Sequence, residues 1–169
     1  MRKELIDTAA PPADWAARLL AFWFDDHGMN DWYGGGPDFD AAVRDLAADW
    51  REALRERPPE AFLVDPDTAL AAAILFDQVP RNIFRGRAEA FATVARGIVD
   101  KGWDRAWPDA RRQFAYLPFE HSEDMDDQRE SLRLFHQLAD PLFHDYAQKH
   151  FDMIDRFGRF PHRNAALGR

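Results

Sequence analysis

The stretch "DTALAAAILFDQV", residues 67–79, decides how the rest of the chain is read. Alanine and leucine are among the strongest helix formers, and alanine is depleted in strands. Asp65 or Asp67, with Pro66, supplies a helix-start signal just ahead of the run. The segment is therefore expected to be a tightly packed central helix, and everything around it has to cover it.

Helical periodicity continues on both sides. Trp15, Leu19, Phe22 and Trp23 follow i, i+4, i+7, i+8 spacing, with Pro12 placed to open a helix. Phe39, Val43, Leu46, Trp50 and Leu54 form a second stripe. Between them "HGMNDWYGGGP" (27–37) reads as a loop because of its glycines, and "RPPEAFLVDP" (57–66) is the next break. Pro80 in "PRNIFRG" (80–86) is expected to interrupt the central helix. A shorter helix is expected from about Ala88 to Lys101, stopped by Gly102, and another from Pro108 to Tyr116. "LPFEHSED" (117–124) reads as a loop with Ser122 as N-cap of the following helix. Met125, Leu132, Phe135 and Leu138 mark that helix. Asp140-Pro141 opens the last one, and Gly158 closes it. No segment alternates as a strand would. The expectation is an all-α single domain over 1–169, about seven helices in an array or antiparallel bundle.

Composition narrows the function classes. Six Trp and fourteen Phe are ample for a core, and a chain of this length buries roughly 70% of its unfolded surface. The absence of cysteine removes disulfides, thiolate catalysis and thiolate metal sites, and gives no support for secretion. The apolar run "LLAFWF" (19–24) is far too short to span a bilayer, so the expected location is cytoplasmic with no membrane partner. A formal charge of −8 opposes attraction to nucleic acid. No phosphate-binding loop, G-x-S-x-G, H-E-x-x-H or helical E-x-x-H occurs, and no spacing supports a metal site; a metal on Glu120, His121 and His150 is the lesser reading.

Three polar clusters remain. "FDQVPRNIFRG" (76–86) offers Asp77, Gln78, Arg81, Asn82 and Arg85. "LPFEHSED" offers Glu120, His121, Ser122, Glu123 and Asp124. "RFGRFPHRN" (156–164) offers Arg159, His162, Arg163 and Asn164. His150 shares a helical face with Phe143, Tyr146, Ala147, Ile154 and Phe157, so it should point inward, as a satisfied core histidine or as a ligand or proton-transfer group. A carboxylate beside His121 suits acid–base chemistry near neutrality. Guanidinium forks bind carboxylate and phosphate bidentately. The bland alternative pairs Arg156, Arg159, Arg163 and Arg169 with the acids between Glu120 and Asp127, an arrangement that contributes only about 0–1 kcal/mol per exposed pair.

The segments "ILFDQVPRNIFRG", "AFAT", "LPFEHSEDMDDQ" and "HFDMIDRFGRFPHRNAALGR", with "LAFWF" near the start, together resemble the bacterial family designated domain of unknown function number 924. The resemblance implies an all-α, tetratricopeptide-like helical array and no established activity. Its pattern covers Gln78, Pro80, Arg81, Asn82, Arg85, Gly86, Glu120, His121, Ser122, Glu123, His150, Arg159, His162, Arg163 and Asn164. The chain departs from the pattern after "AFAT", where Thr93 runs straight into Val94, and this predicts a shortened helix. The pattern also continues a little beyond the position of Arg169.

The leading expectation is a polar pocket for a small anionic molecule. Gln78, Arg81, Asn82, Arg85, Glu123, Arg159, His162, Arg163 and Asn164 are the candidate binding residues. His121 or His150 is the candidate catalytic proton-transfer group, with Glu120 orienting it. Whether the protein is an enzyme, and which cofactor it would use, the sequence leaves open. The competing expectation is a scaffold for a protein or peptide partner, with structural ion pairs and no catalysis.

Overall fold

The computed structural model describes residues 10–84 and 91–169. Helix α1 (Trp15–Leu20) runs on through a π-turn at Ala21–Asp25, followed by α2 (Met29–Gly34) and α3 (Gly36–Leu54). Helix α4 (Pro66–Ala73) continues through a second π-turn, Ile74–Gln78, into α5 (Val79–Phe84). Helices α6 (Ala92–Asp100), α7 (Asp109–Glu120), α8 (Met125–Phe135), α9 (Pro141–Phe157) and the short α10 (Asn164–Leu167) complete the chain. Among the described residues there is no strand, so the fold is all-α.

The alanine-rich helix is the centre of the fold. Ala69 to Leu75 are fully buried, and this rod packs against α1, α6 and α7, with its α5 portion against α3. Asp65 caps it, its carboxylate accepting from Thr68 N–H at 2.8 Å. Helices α6, α7, α8 and α9 each pack on the next in sequence. The two expected stripes line the core: Trp15, Leu19 and Trp23 are buried, as are Phe39, Val43, Trp50 and Leu54. No helix among the described residues is long and apolar enough to cross a membrane.

Pro80 does not break the rod. The π-turn before it shifts the ladder by one residue, so that Val79 N–H donates to the carbonyl of Ile74, five residues back. That widened turn accommodates a residue with no N–H to give, and the helix resumes through Phe84. Pro118 is likewise inside α7 rather than in a loop. The turn that contains it buries Leu117, Phe119, Glu120 and His121, and His121 N–H bonds Leu117 O at 2.9 Å, so packing outweighs the lost backbone bond.

"HGMNDWYGGGP" also departs from the loop expectation, because α2 occupies Met29–Gly34 and α3 begins at Gly36. The glycines serve the joint between these helices. Gly36 has φ +66°, and a Cβ on Gly35 would lie 2.5 Å from the Asp31 carbonyl oxygen and 2.7 Å from Phe39 Cβ. Ser122 is not the cap of α8; Asp124 is, accepting from Asp126 and Asp127 N–H. Gly102 and Gly158 follow α6 and α9 in the left-handed conformation, as helix terminators do. The described part of the expected Ala88–Lys101 helix is α6; its first residues lie outside the described residues.

Candidate functional site

The π-turn that admits Pro80 also carries Asp77, the one acid in the fully apolar stretch Ala69–Phe76 and Val79. Asp77 is fully buried. Its carboxylate accepts from Gln78 Nε2 at 2.7 Å, sits 3.4 Å from Arg81 Nη2, and has both oxygens 2.9 Å from His121 Nδ1. Burial alone would raise the Asp77 pKa, but His121, Arg81 and the hydrogen bonds outweigh it and hold the carboxyl at about 2. Burial pushes the His121 imidazole below its ordinary value, against the pull of Asp77, and Arg81 adds to the fall. The arrangement is an ionised carboxylate fixing a neutral imidazole with its proton on Nδ1. Its Nε2 is left as the basic nitrogen.

Glu120 ends α7 immediately before His121, and it turns to the other histidine. His150 Nδ1, on α9, lies 3.0 Å from Glu120 Oε1 and 2.8 Å from the Tyr146 carbonyl one turn earlier. Burial lowers the His150 pKa, yet the Glu120 hydrogen bond and charge outweigh it and the net direction is upward. The two imidazoles are 5.9 Å apart between centroids, and the donor atoms of Glu120, His121 and His150 all lie within 4.8 Å of one another. Asp77, rather than Glu120, is thus the carboxylate that orients His121.

The C-terminal segment closes one side. Gly158 turns the chain out of α9, Phe160 is buried against the His150 ring at 5.5 Å, and the Arg163 guanidinium lies 4.6 Å from the Phe160 ring centroid. Arg163 is itself buried and donates from Nη1 to the His121 carbonyl at 2.9 Å. Burial, and after it Arg81, pushes the Arg163 pKa down. His162 is exposed beside Phe160; burial first, then Arg163, His150 and Arg81, lower its pKa. Arg81 therefore sits within electrostatic reach of His121, His150, His162 and Arg163. Its Nε is buried with no hydrogen-bond partner.

Other expected site residues lie further out. Asn82 donates to Asp40 at 2.9 Å and lines a cleft of about 280 Å³ with Trp32, Tyr33, Gly35 and Phe39. Tyr33, half exposed, donates to Gln113 at 2.5 Å; burial and then Glu120 push its phenol pKa up. Glu123 accepts from Phe160 N–H at 3.0 Å and pairs with Arg169, tying down the C-terminal segment. Asn164 faces Arg169 through a 3.4 Å contact, and Arg159 is exposed. Arg85 lies outside the described residues. Tyr146 and Phe157, expected on the inward face of α9, are about half exposed.

The mutual-pairing reading of the C-terminal arginines receives little geometry. Arg169 meets Glu123, but Arg163 binds a carbonyl and Arg156 lies over Phe157. Asp126 pairs with Arg129 and Asp127 with Arg96, while Asp124 caps α8. Sequence reasoning named Asp77 in its cluster but gave it no role. The signal was there, as a lone acid inside a buried apolar helix.

No curated protein matches the chain. A solved structure of a protein of unknown function from Agrobacterium tumefaciens, ATU0120, is 36% identical, with a TM-score of 0.83 over 93% of this chain and 92% of that one. A family model, "Bacterial protein of unknown function (DUF924)", matches residues 19–169, from the last two residues of α1 through the C-terminal segment. The chain belongs to that bacterial family, DUF924.

Proposed function

We propose that the site formed by Asp77, Arg81, Glu120, His121, His150 and Arg163 binds a small anionic molecule, a carboxylate or a phosphate, with His121 as the proton-transfer group that faces it. The observation that carries this reading is Arg81. Its guanidinium meets Asp77 through one 3.4 Å contact while its Nε is buried without a partner. A buried unpaired donor costs roughly 1–3 kcal/mol, and an anion accepting from the fork offsets that cost. Arg163 and His150 add positive potential to the same place. His121 Nε2, with Asp77 behind Nδ1, has the geometry of a general base held in one tautomer.

The test is a thermal-shift screen of phosphate and small carboxylates on the metal-free wild type, Arg81→Ala and His121→Ala. Stabilisation of the wild type that is lost in Arg81→Ala supports the site. No stabilisation by any of the anions removes the reading.

The scaffold reading keeps one observation in its favour. Leu142, Tyr146 and Phe157 are each about half exposed and fall on one side of α9 at i, i+4 and i+15. A tetratricopeptide-like protein that docks a peptide would use such a face. Substituting Tyr146 and Phe157 with serine would then abolish peptide capture and leave anion-induced stabilisation unchanged.

A further inference from the structure

The geometry points to a divalent transition-metal site on Glu120, His121 and His150, of the zinc type, with coordination positions left open for an exchangeable ligand. The donor set is two imidazoles and one carboxylate, which suits Zn²⁺ and its first-row neighbours rather than Mg²⁺ or Ca²⁺, whose shells are built from oxygen. Three protein ligands are also the number found where a metal keeps a place for water or substrate.

Three features make this more than proximity. One ligand atom from each of the three residues lies within 4.8 Å of the others, whereas donors around a tetrahedral zinc sit about 3.4 Å apart, so side-chain rotation that turns the two Nε2 atoms toward Glu120 closes the site. Both histidines carry the outer hydrogen bonds that ligating histidines use. His121 Nδ1 is held by Asp77 at 2.9 Å, and His150 Nδ1 by the Tyr146 carbonyl at 2.8 Å. Each ring thereby keeps its proton on Nδ1 and offers Nε2 as the lone-pair nitrogen. Finally, Glu120 and His121 are adjacent at the end of α7, where Gln128 donates from Nε2 to the Glu120 carbonyl at 2.7 Å and Arg163 donates to that of His121. The backbone that presents both ligands is fixed from two sides.

Binding asks Glu120 to exchange its hydrogen bond with His150 Nδ1 for the ion; that nitrogen keeps its bond to Tyr146. Charge balance connects the ion to the anion. Asp77 and Glu120 offset Arg81 and Arg163, so a dication leaves the cluster with two positive charges; a phosphate dianion or a dicarboxylate bound to the open positions neutralises both, and a monocarboxylate neutralises one. The inference rests on the proposed anion site only for this exchangeable ligand, not for the ion; with the ion bound, the His121 Nε2 lone pair is coordinated, so His121 serves as a base only in the metal-free protein.

The experiment titrates Zn²⁺, with Mg²⁺ as control, into chelator-treated full-length protein by calorimetry, and records the visible spectrum with Co²⁺. One Zn²⁺ per chain, no binding of Mg²⁺ and a Co²⁺ spectrum of low coordination number are expected. His150→Ala and Glu120→Gln are expected to weaken Zn²⁺ binding by more than about 100-fold, and Asp77→Asn by about 10- to 100-fold. Circular dichroism on each variant separates lost ligands from lost fold, and His150→Gln provides a milder change on the solvent side if His150→Ala unfolds. Absence of stoichiometric Zn²⁺ binding to the wild type, or binding that survives both His150→Gln and Glu120→Gln, overturns the site. Arg81→Ala separates the two readings: it is expected to keep Zn²⁺ while losing phosphate-induced stabilisation. Zinc binding in a protein that no anion stabilises would leave the metal site standing and remove the anion reading alone.

Discussion

Asp77 and His121 are forty-four positions apart in sequence, yet the His121 ring nitrogen lies 2.9 Å from both oxygens of the Asp77 carboxylate. The contact joins the π-turn of the central rod to the end of α7, both fully or almost fully buried.

Asp77→Asn keeps the shape and removes the charge that Arg81 and His121 share. Taking one partner from a buried charged network typically costs about 3–5 kcal/mol, and the amide, which still accepts from His121, should bring the loss to the lower end. Urea denaturation at neutral pH measures it. A variant as stable as the wild type would mean that Asp77 does not organise the site.

Asp65 gives the fold a pH-dependent cap. The Thr68 backbone N–H and hydroxyl, as the leading influences, hold its carboxyl below the ordinary value. A depressed folded pKa stabilises above the unfolded value of about 3.9, and the contribution is lost as pH falls further through the folded value. Asp65→Ala should therefore cost about 1 kcal/mol at pH 7, within the usual range for a lost N-cap, and progressively less below pH 4. Denaturation midpoints of both proteins should converge at acid pH.

Tyr116→Phe tests a second buried network. The Tyr116 hydroxyl donates to Asp104 at 2.6 Å and accepts from Arg112 Nε at 3.0 Å. The other Asp104 oxygen is already buried without a partner. Removing the hydroxyl strands the remaining oxygen, and a loss of about 2–3 kcal/mol is expected in equilibrium unfolding.

Gly35→Ala should destabilise by about 1–3 kcal/mol, because the new Cβ meets a backbone oxygen and the Phe39 side chain at distances no real Cβ tolerates. Since Gly35 and Phe39 line the cleft beside Asn82, the same change should alter the tryptophan fluorescence of neighbouring Trp32. A neutral effect on both would show that the α2–α3 joint relaxes freely.

What was legible in the sequence follows from local physics. Apolar spacing marks helix faces because a helix buries every third or fourth residue, so Trp15, Leu19, Val43 and Leu54 could be placed in the core directly. Asp140 and Gly158 could be placed at the ends of α9 because caps are local too. Proline and glycine misled for the opposite reason. Their intrinsic cost says break, but at Pro80 and Pro118 the cost is met by a π-turn and by burial against helices distant in sequence.

The sequence by itself determined an all-α chain with a central alanine-rich helix, and it marked three separated segments rich in polar and charged residues. It could not determine which of them face one another. Glu120 and His121 are neighbours in the chain but part company in the fold, Glu120 toward His150 on α9 and His121 toward Asp77 in the rod. Arg163 leaves its acidic candidates for a backbone carbonyl, and Arg169 takes Glu123. Such pairings depend on the packing of α7 against the central rod on one side and against α9 on the other. Periodicity fixes the direction of a side chain about its own helix, whereas its partner is set by where the next helix lies.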